Sequence, residues 1–262
     1  MTTTVERPVD LPRDDPEAYI ARDRRWALST HRDMPDRVEG SALFADISGF
    51  TPLTEALANE LGSQRGSEEL TANLGRVFHA VIEELHRRGG DVIYFSGDAI
   101  TCWLDGDDGT RATAAGLAMQ QAMAREGRIT TPAGTEVQLA LKVAVAVGRA
   151  RRFVVGDPQV QLIDVLAGAM IDDLAEAEHH ADKGEVVLET AALAALEGRV
   201  TIRELRHDED RHRTFGVVET LTVDVPTNDA AEPPALDEAL VTPWILPEVY
   251  ERMRSARGEL LA

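Results

Sequence analysis

One cysteine in 262 residues rules out an internal disulfide, and Cys102, flanked by Thr101 and Trp103, is expected as a packed thiol on a strand. No run of 18 or more apolar residues is present, which excludes a membrane-crossing helix. The opening residues MTTTVERPVDLPRDD lack the basic start and apolar stretch of a secretory signal. A soluble, cytoplasmic protein with no membrane partner is the expectation. Basic residues are also scarce, with 27 Lys and Arg against 46 Asp and Glu and a formal charge of −19. That balance repels nucleic acid phosphates and disfavours a DNA or RNA partner. An anionic small substrate would need cations to offset the same field.

What is present divides the chain into three parts. Residues 1–36 are polar and punctuated by proline, with a short helix expected around Tyr19 to Leu28, and read as an arm or brace. Residues 37–224 carry the periodic apolar pattern of one catalytic-sized domain. Residues 225–262 open as a Pro-rich linker, VPTNDAAEPPALD, and a short connector helix is expected after Pro247.

Within the central part, ALFADI from Ala42 reads as a buried strand that stops at Ser48 and Gly49. Thr51 then suits an N-cap ahead of Pro52 at the first helical position. A second helix is expected from near Ser67, where Leu70, Leu74, Val77, Phe78, Val81 and Leu85 keep the 3.6-residue period. Val92 to Phe95 and Ala99 to Leu104 form an expected hairpin with Asp98 at its turn, followed by an Ala-rich helix from about Thr110 to Arg125.

The strictest alternation runs from Val137 to Val147, with further strands expected at Arg152 to Gly156 and Gln159 to Leu166. A helix from Gly168 to Ala181 and strands near Glu185 to Glu189, Val200 to Arg206 and Thr214 to Val223 complete the pattern. Helices alternating with hairpins indicate an α+β fold, ferredoxin-like, with a mostly antiparallel sheet packed with helices.

Two acids stand out. Asp46 ends the first strand and Asp98 lies at the hairpin turn. On neighbouring strands they would converge at one sheet edge, where hard cations accept carboxylates and substrate phosphates. The same residues also suit a turn cap and a hairpin corner. After Asp46, the segment Ile47-Ser48-Gly49-Phe50-Thr51 leads into a helix N-terminus, whose backbone N–H groups form a ready anion site. His179 and His180 read as solvated surface, because adjacent helical residues diverge by about 100°. Arg149, Arg151 and Arg152 read as strand-end residues facing water.

The segments SALFADISGFTPLTEAL and GGDVIYFSGDAITCW closely resemble the two metal-binding signatures of class III adenylyl cyclases. The match is specifically with the first catalytic domain of tandem enzymes of the soluble adenylyl cyclase type, from about Leu43 to Glu189. The resemblance implies conversion of ATP to cyclic AMP and pyrophosphate with two Mg²⁺ or Mn²⁺ ions. Asp46 and Asp98 would hold the metals, with the carbonyl of Ile47 as a further ligand. Ser48, Gly49, Phe50 and Thr51 would cradle the β- and γ-phosphates, and Lys142 would reach them.

A family active site also needs a second catalytic domain that supplies a Lys and an Asp or Thr for adenine, and an Asn and an Arg for the transition state. Tyr94, Val165, Asp172 and Glu176 occupy those positions here and suit none of these tasks. In enzymes of this type a degenerate second site binds bicarbonate through a Lys and an Arg, where this chain has Tyr94 and Ala175. The chain is therefore expected to supply a metal-binding half-site and to require a complementary cyclase domain, in the same longer chain or in trans. Trp244 to Leu261 resembles the connector into such a domain. The alternative is a catalytically silent regulatory or nucleotide-binding module.

Overall fold

A computed structural model describes residues 15–228 and 231–254. Parts of the expected arm and connector, residues 1–14 and 255–262, lie outside the described residues. The chain begins with a 3-10 helix at Pro16–Tyr19 and α1 (Arg22–Ser29), then enters β1 (Arg37–Ser48), α2 (Phe50–Leu61) and α3 (Ser63–His86). The hairpin β2 (Asp91–Ser96) and β3 (Ala99–Asp105) leads to α4 (Thr110–Glu126), the small hairpin β4 (Arg128–Thr130) and β5 (Glu136–Gln138), and β6 (Ala140–Asp157). After β7 (Gln161–Ala167) come α5 (Ala169–His179), β8 (Val186–Leu188), α6 (Thr190–Ala195), β9 (Val200–Asp208) and β10 (Arg213–Leu221). The chain then passes through α7 (Glu238–Val241), a 3-10 turn at Thr242–Trp244 and α8 (Pro247–Arg254).

The main sheet runs β2-β3-β1-β6-β8-β10-β9, and β7 pairs with the far half of β6. Every described pairing but β6 with β8 is antiparallel, as expected from the sequence. Strand alternation sorts the side chains between two cores. Leu43, Ala45 and Ile47 of β1, with Leu141, Val143 and Val145 of β6, pack with residues of α2, α3 and α4. The opposite face carries Ala42, Ala144 and Ala146, and there Met170, Leu174 and Ala177 of α5 pack against it. The small alanines let α5 approach this face closely.

Several expectations need correction. Thr51 is not the N-cap of α2: Gly49 holds that position at φ +104°, and the helix starts at Phe50, one residue ahead of Thr51. A left-handed glycine turns the chain earlier than a threonine cap would. The expected strand Val137 to Val147 is divided at Leu139, whose N–H donates to the Gly127 carbonyl at 2.8 Å. Residues before that break pair with β4 instead. Arg152 to Gly156 is no separate strand but the continuation of the 18-residue β6. The second helix starts at Ser63, four residues before Ser67, because Gly66 fits directly against the backbone of Leu57.

Arg152 does not face water. It is 2% exposed, and its guanidinium lies between Asp23 of α1 and Asp164 of β7. Arg24 adds a two-pronged contact to Asp164 at 3.1 and 3.2 Å. The residues preceding β1 are thus fastened to the sheet by buried charge pairs. A third apolar cluster, Ile20 with Val241, Trp244 and Ile245, packs this segment against the C-terminal helices.

Candidate active site

β1 is the central strand of the site because it pairs with both β3 and β6. The register sets Asp46 opposite Ala99 on one side and Lys142 on the other. Next to Ala99, the turn residue Asp98 accepts a hydrogen bond at its carbonyl from the Ile47 N–H at 3.1 Å. The two acids picked out from the sequence therefore meet at one end of adjacent strands. Asp46 is partly buried, with a side chain 23% exposed, whereas Asp98 is exposed. Burial raises the Asp46 pKa first, and the Asp98 charge raises it further; Lys142 opposes both.

Lys142 lies on the alanine face of β6, below α5. Its Nζ donates to Glu178 Oε1 at 2.7 Å and stands 3.7 Å from Asp46 Oδ2. The bond to Glu178 is the main cause of a raised Lys142 pKa. Two acids, Asp46 and Glu178, thus flank one lysine, and the charge of a third, Asp98, acts on Asp46. The excess of negative charge favours added cations.

Ser48, Gly49, Phe50 and Thr51, expected from the sequence to cradle phosphates, form the junction of β1 with α2. A Cβ at Gly49 would lie 3.0 Å from the Gln138 carbonyl oxygen and 3.2 Å from the Leu139 side chain. The close approach and the positive φ both require glycine here. Among the described residues, Ser48 Oγ is buried without a hydrogen-bond partner. Downstream, Glu60 accepts from Thr131 Oγ1 at 2.6 Å, Thr135 Oγ1 at 2.9 Å and the Ala133 N–H at 3.0 Å. The far end of α2 is consequently tied to the β4–β5 hairpin, and its start lies close against Gln138 and Leu139.

This donor set offers carboxylate and carbonyl oxygens of the kind that hard divalent cations accept. Among the described residues no group of three or more His, Cys, Asp or Glu side chains is arranged to hold a metal alone. Two carboxylates and the Ile47 carbonyl match an ion that fills its shell with water and phosphate oxygens. The orphaned Ser48 hydroxyl and the free first-turn N–H groups of α2 offer further polar contacts on the same side.

The residues expected from the sequence at the second-half positions lie on three elements. Tyr94 lies on β2, Val165 on β7, and Asp172 and Glu176 on α5. Glu176 pairs with Arg211, and Asp172 is exposed. Tyr94 and Ala175 line one cavity of about 170 Å³ together with Phe44, Thr101 and Glu178. His179 and His180 share no site: His179 Nδ1 lies 3.7 Å from Glu178, and His180 stacks on Phe215 at 4.2 Å. Sequence reasoning missed Glu178 as a site residue and Glu60 as a tether. The helical spacing of Glu178 from Leu174, one turn away on the buried side of α5, was the available signal.

In fold and in its two motif segments the chain is similar to class III cyclase catalytic domains. Over 162 residues, 62% of its length, the chain is 27% identical to Adenylate cyclase type 10 of Homo sapiens and of Oryctolagus cuniculus. The chain spans about a tenth of the length of these curated relatives. Its fold is similar to the guanylyl cyclase Cya2, with a TM-score of 0.59 and 20% identity, covering 74% of this chain and 99% of that one. It is likewise similar to the adenylyl cyclase CyaB from P. aeruginosa, with a TM-score of 0.54 and 19% identity over 70% of this chain and 95% of that one. No protein-family model matches the chain. Among the described residues no helix is long and apolar enough to cross a membrane.

Proposed function

We propose that this chain supplies the metal-binding half of an adenylate cyclase active site, which converts ATP to 3′,5′-cyclic AMP and pyrophosphate with a complementary catalytic domain. The observation that carries the reading is the meeting of Asp46 and Asp98 beside the Gly49 turn. Asp46, Asp98 and the Ile47 carbonyl would hold two Mg²⁺ or Mn²⁺ ions. When bound, such ions acidify a ribose hydroxyl and neutralise charge on a triphosphate.

The chain's own residues would do the rest of this half's work. The N–H groups from Gly49 to Thr51 aim at the β- and γ-phosphates, helped by the positive end of α2. The Lys142 ammonium adds a mobile positive charge that can reach the same phosphates. The other half must come from elsewhere. A carboxylate such as Glu176, itself paired with Arg211, cannot supply the positive charge of a transition-state Arg. Val165 has no side-chain hydrogen bond to offer adenine. A homodimer would therefore join two metal halves to two faces that lack adenine and transition-state donors.

Mixing the purified chain with a cyclase domain that has the adenine and transition-state residues, but mutated metal carboxylates, tests this directly. Cyclic AMP is expected from the mixture and at most traces from the chain alone. Robust production by the isolated chain would overturn the half-site reading. A catalytically silent nucleotide-binding module is the outcome if an ATP analogue binds with Mn²⁺ yet no complementary domain restores turnover. ATP against GTP preference is read in the same assay by supplying each in turn.

A further inference from the structure

We propose that Glu178 is a positioning residue for this site: it holds the Lys142 ammonium off Asp46, so that one lysine serves the triphosphate without blocking the metals. The inference rests on the metal half-site reading and adds a residue that the cyclase signatures do not contain. Asp46 and Lys142 are direct cross-strand partners on β1 and β6. Their side chains share the sheet face covered by α5. With nothing else near, an ammonium opposite a partly buried carboxylate would close on it to hydrogen-bond distance, since attraction grows as the solvent is excluded. Here Nζ keeps only a longer ion pair to Asp46 Oδ2, at 3.7 Å, and gives its hydrogen bond to Glu178 Oε1 at 2.7 Å.

Glu178 can hold this position because α5 is fixed. Leu174 and Ala177 are buried against the alanine face, with exposures of 2% and 0%. The Glu178 side chain is itself only 20% exposed and leans over the strand from the neighbouring helix position. Lysine suits such sharing, since its ammonium is a compact charge on a flexible stem with three donors. A metal ion on Asp46 and a cation contacting Asp46 exclude one another. Glu178 biases that competition toward the metal and parks the lysine within reach of the phosphate turn.

The test is the weak Mn²⁺ binding expected of the nucleotide-free chain, where water completes the shell of an ion on Asp46 and Asp98, followed by electron paramagnetic resonance at high Mn²⁺, in wild type, Glu178→Gln, Lys142→Met and the double variant. Glu178→Gln is expected to weaken Mn²⁺ roughly threefold, the scale of one partly exposed ion pair. Lys142→Met is expected to tighten Mn²⁺ while weakening an ATP analogue, an opposite pair of effects that a structural role would not give. In the Lys142→Met background, Glu178→Gln should have no further effect on Mn²⁺. An equal loss in that background would mean that Glu178 acts by its own charge and would overturn the positioning role, as would unchanged Mn²⁺ affinity in Glu178→Gln. Asp46→Asn is the control that separates the two levels. Retained Mn²⁺ binding there sinks the metal site itself, whereas lost binding with additive Glu178 and Lys142 effects sinks the positioning role alone.

Discussion

The Ile47 N–H donates to the Asp98 carbonyl at 3.1 Å, one step beyond the pairing of Asp46 with Ala99. The approach of the two motif carboxylates is thus set by a backbone ladder, whose rungs are not broken by exchanging a side chain. Binding and stability can for that reason be separated by mutation.

Asp46→Asn and Asp98→Asn are expected to remove Mn²⁺-dependent binding of an ATP analogue, because neutral amides hold dications poorly. Neither should lower Tm. For Asp46 the sign follows from its raised pKa, caused first by burial and then by Asp98. A folded-state pKa above the unfolded one gives stability that is present below the unfolded value and lost as pH rises through the folded value. At neutral pH the ionised group therefore burdens the metal-free fold, and Asp46→Asn should leave Tm level or slightly higher. Thermal melts without metal check this, and a clear drop would contradict it.

Gly49→Ala should weaken nucleotide binding and cost about 1–2 kcal/mol of stability. The residue stands at φ +104°, where an added Cβ is strained, and that Cβ would press on the Gln138 carbonyl at 3.0 Å. Urea unfolding and calorimetric titration with an ATP analogue measure the two effects. Unchanged affinity would place the phosphates elsewhere than the start of α2.

Asp91 gives the domain a pH response near neutrality. Burial pushes its pKa up to about 7, and the Asp23 charge adds to the shift while Arg152 opposes it. The group is protonated in the fold at pH 6 and ionised at pH 8, whereas in the unfolded chain it is ionised at both. Stability held below the unfolded pKa is accordingly lost as pH rises through about 7. Between pH 6 and 8 the loss is on the order of 1 kcal/mol. Urea midpoints at the two pH values should differ by this contribution in wild type, and Asp91→Asn should remove it.

Arg152→Met is expected to be the most destabilising of these changes, at about 3–5 kcal/mol, because it leaves Asp23 and Asp164 facing one another without their shared cation. Hydrogen exchange should report faster opening of α1 before the sheet unfolds. Slow exchange in α1 in this variant would show that the apolar contacts of Ile20 suffice to hold the segment.

Local pattern made much of this legible in the sequence. The alternation of β1 and β6, the glycine at the strand end and the Ser96-Gly97-Asp98 corner each depend on neighbours within a few residues, and they located Asp46, Asp98 and the turn. What escaped was non-local. Arg152 reads as a solvated strand residue until Asp23, 129 positions away, is brought to it. Glu178 and Lys142 are 36 positions apart and meet only when α5 lies across β6. The break at Leu139 was hidden because β5 and β6 together keep one alternating pattern while pairing with different strands.

The fastening of α1 by Arg152 also bears on how this domain can be inherited and moved. A boundary drawn at residue 37 follows the cyclase motifs but cuts the Asp23 contact and leaves a guanidinium in the interior with one acid fewer. Arg152 is then a liability in any chain that lacks Asp23. A gene fusion that carries this domain into a new architecture keeps a sound core if it takes the chain from about Asp15, or if an apolar residue replaces Arg152 and Asp23 and Asp164 lose their charge with it. The portable unit is thus larger than its catalytic signatures, and its extra length is set by one buried cation.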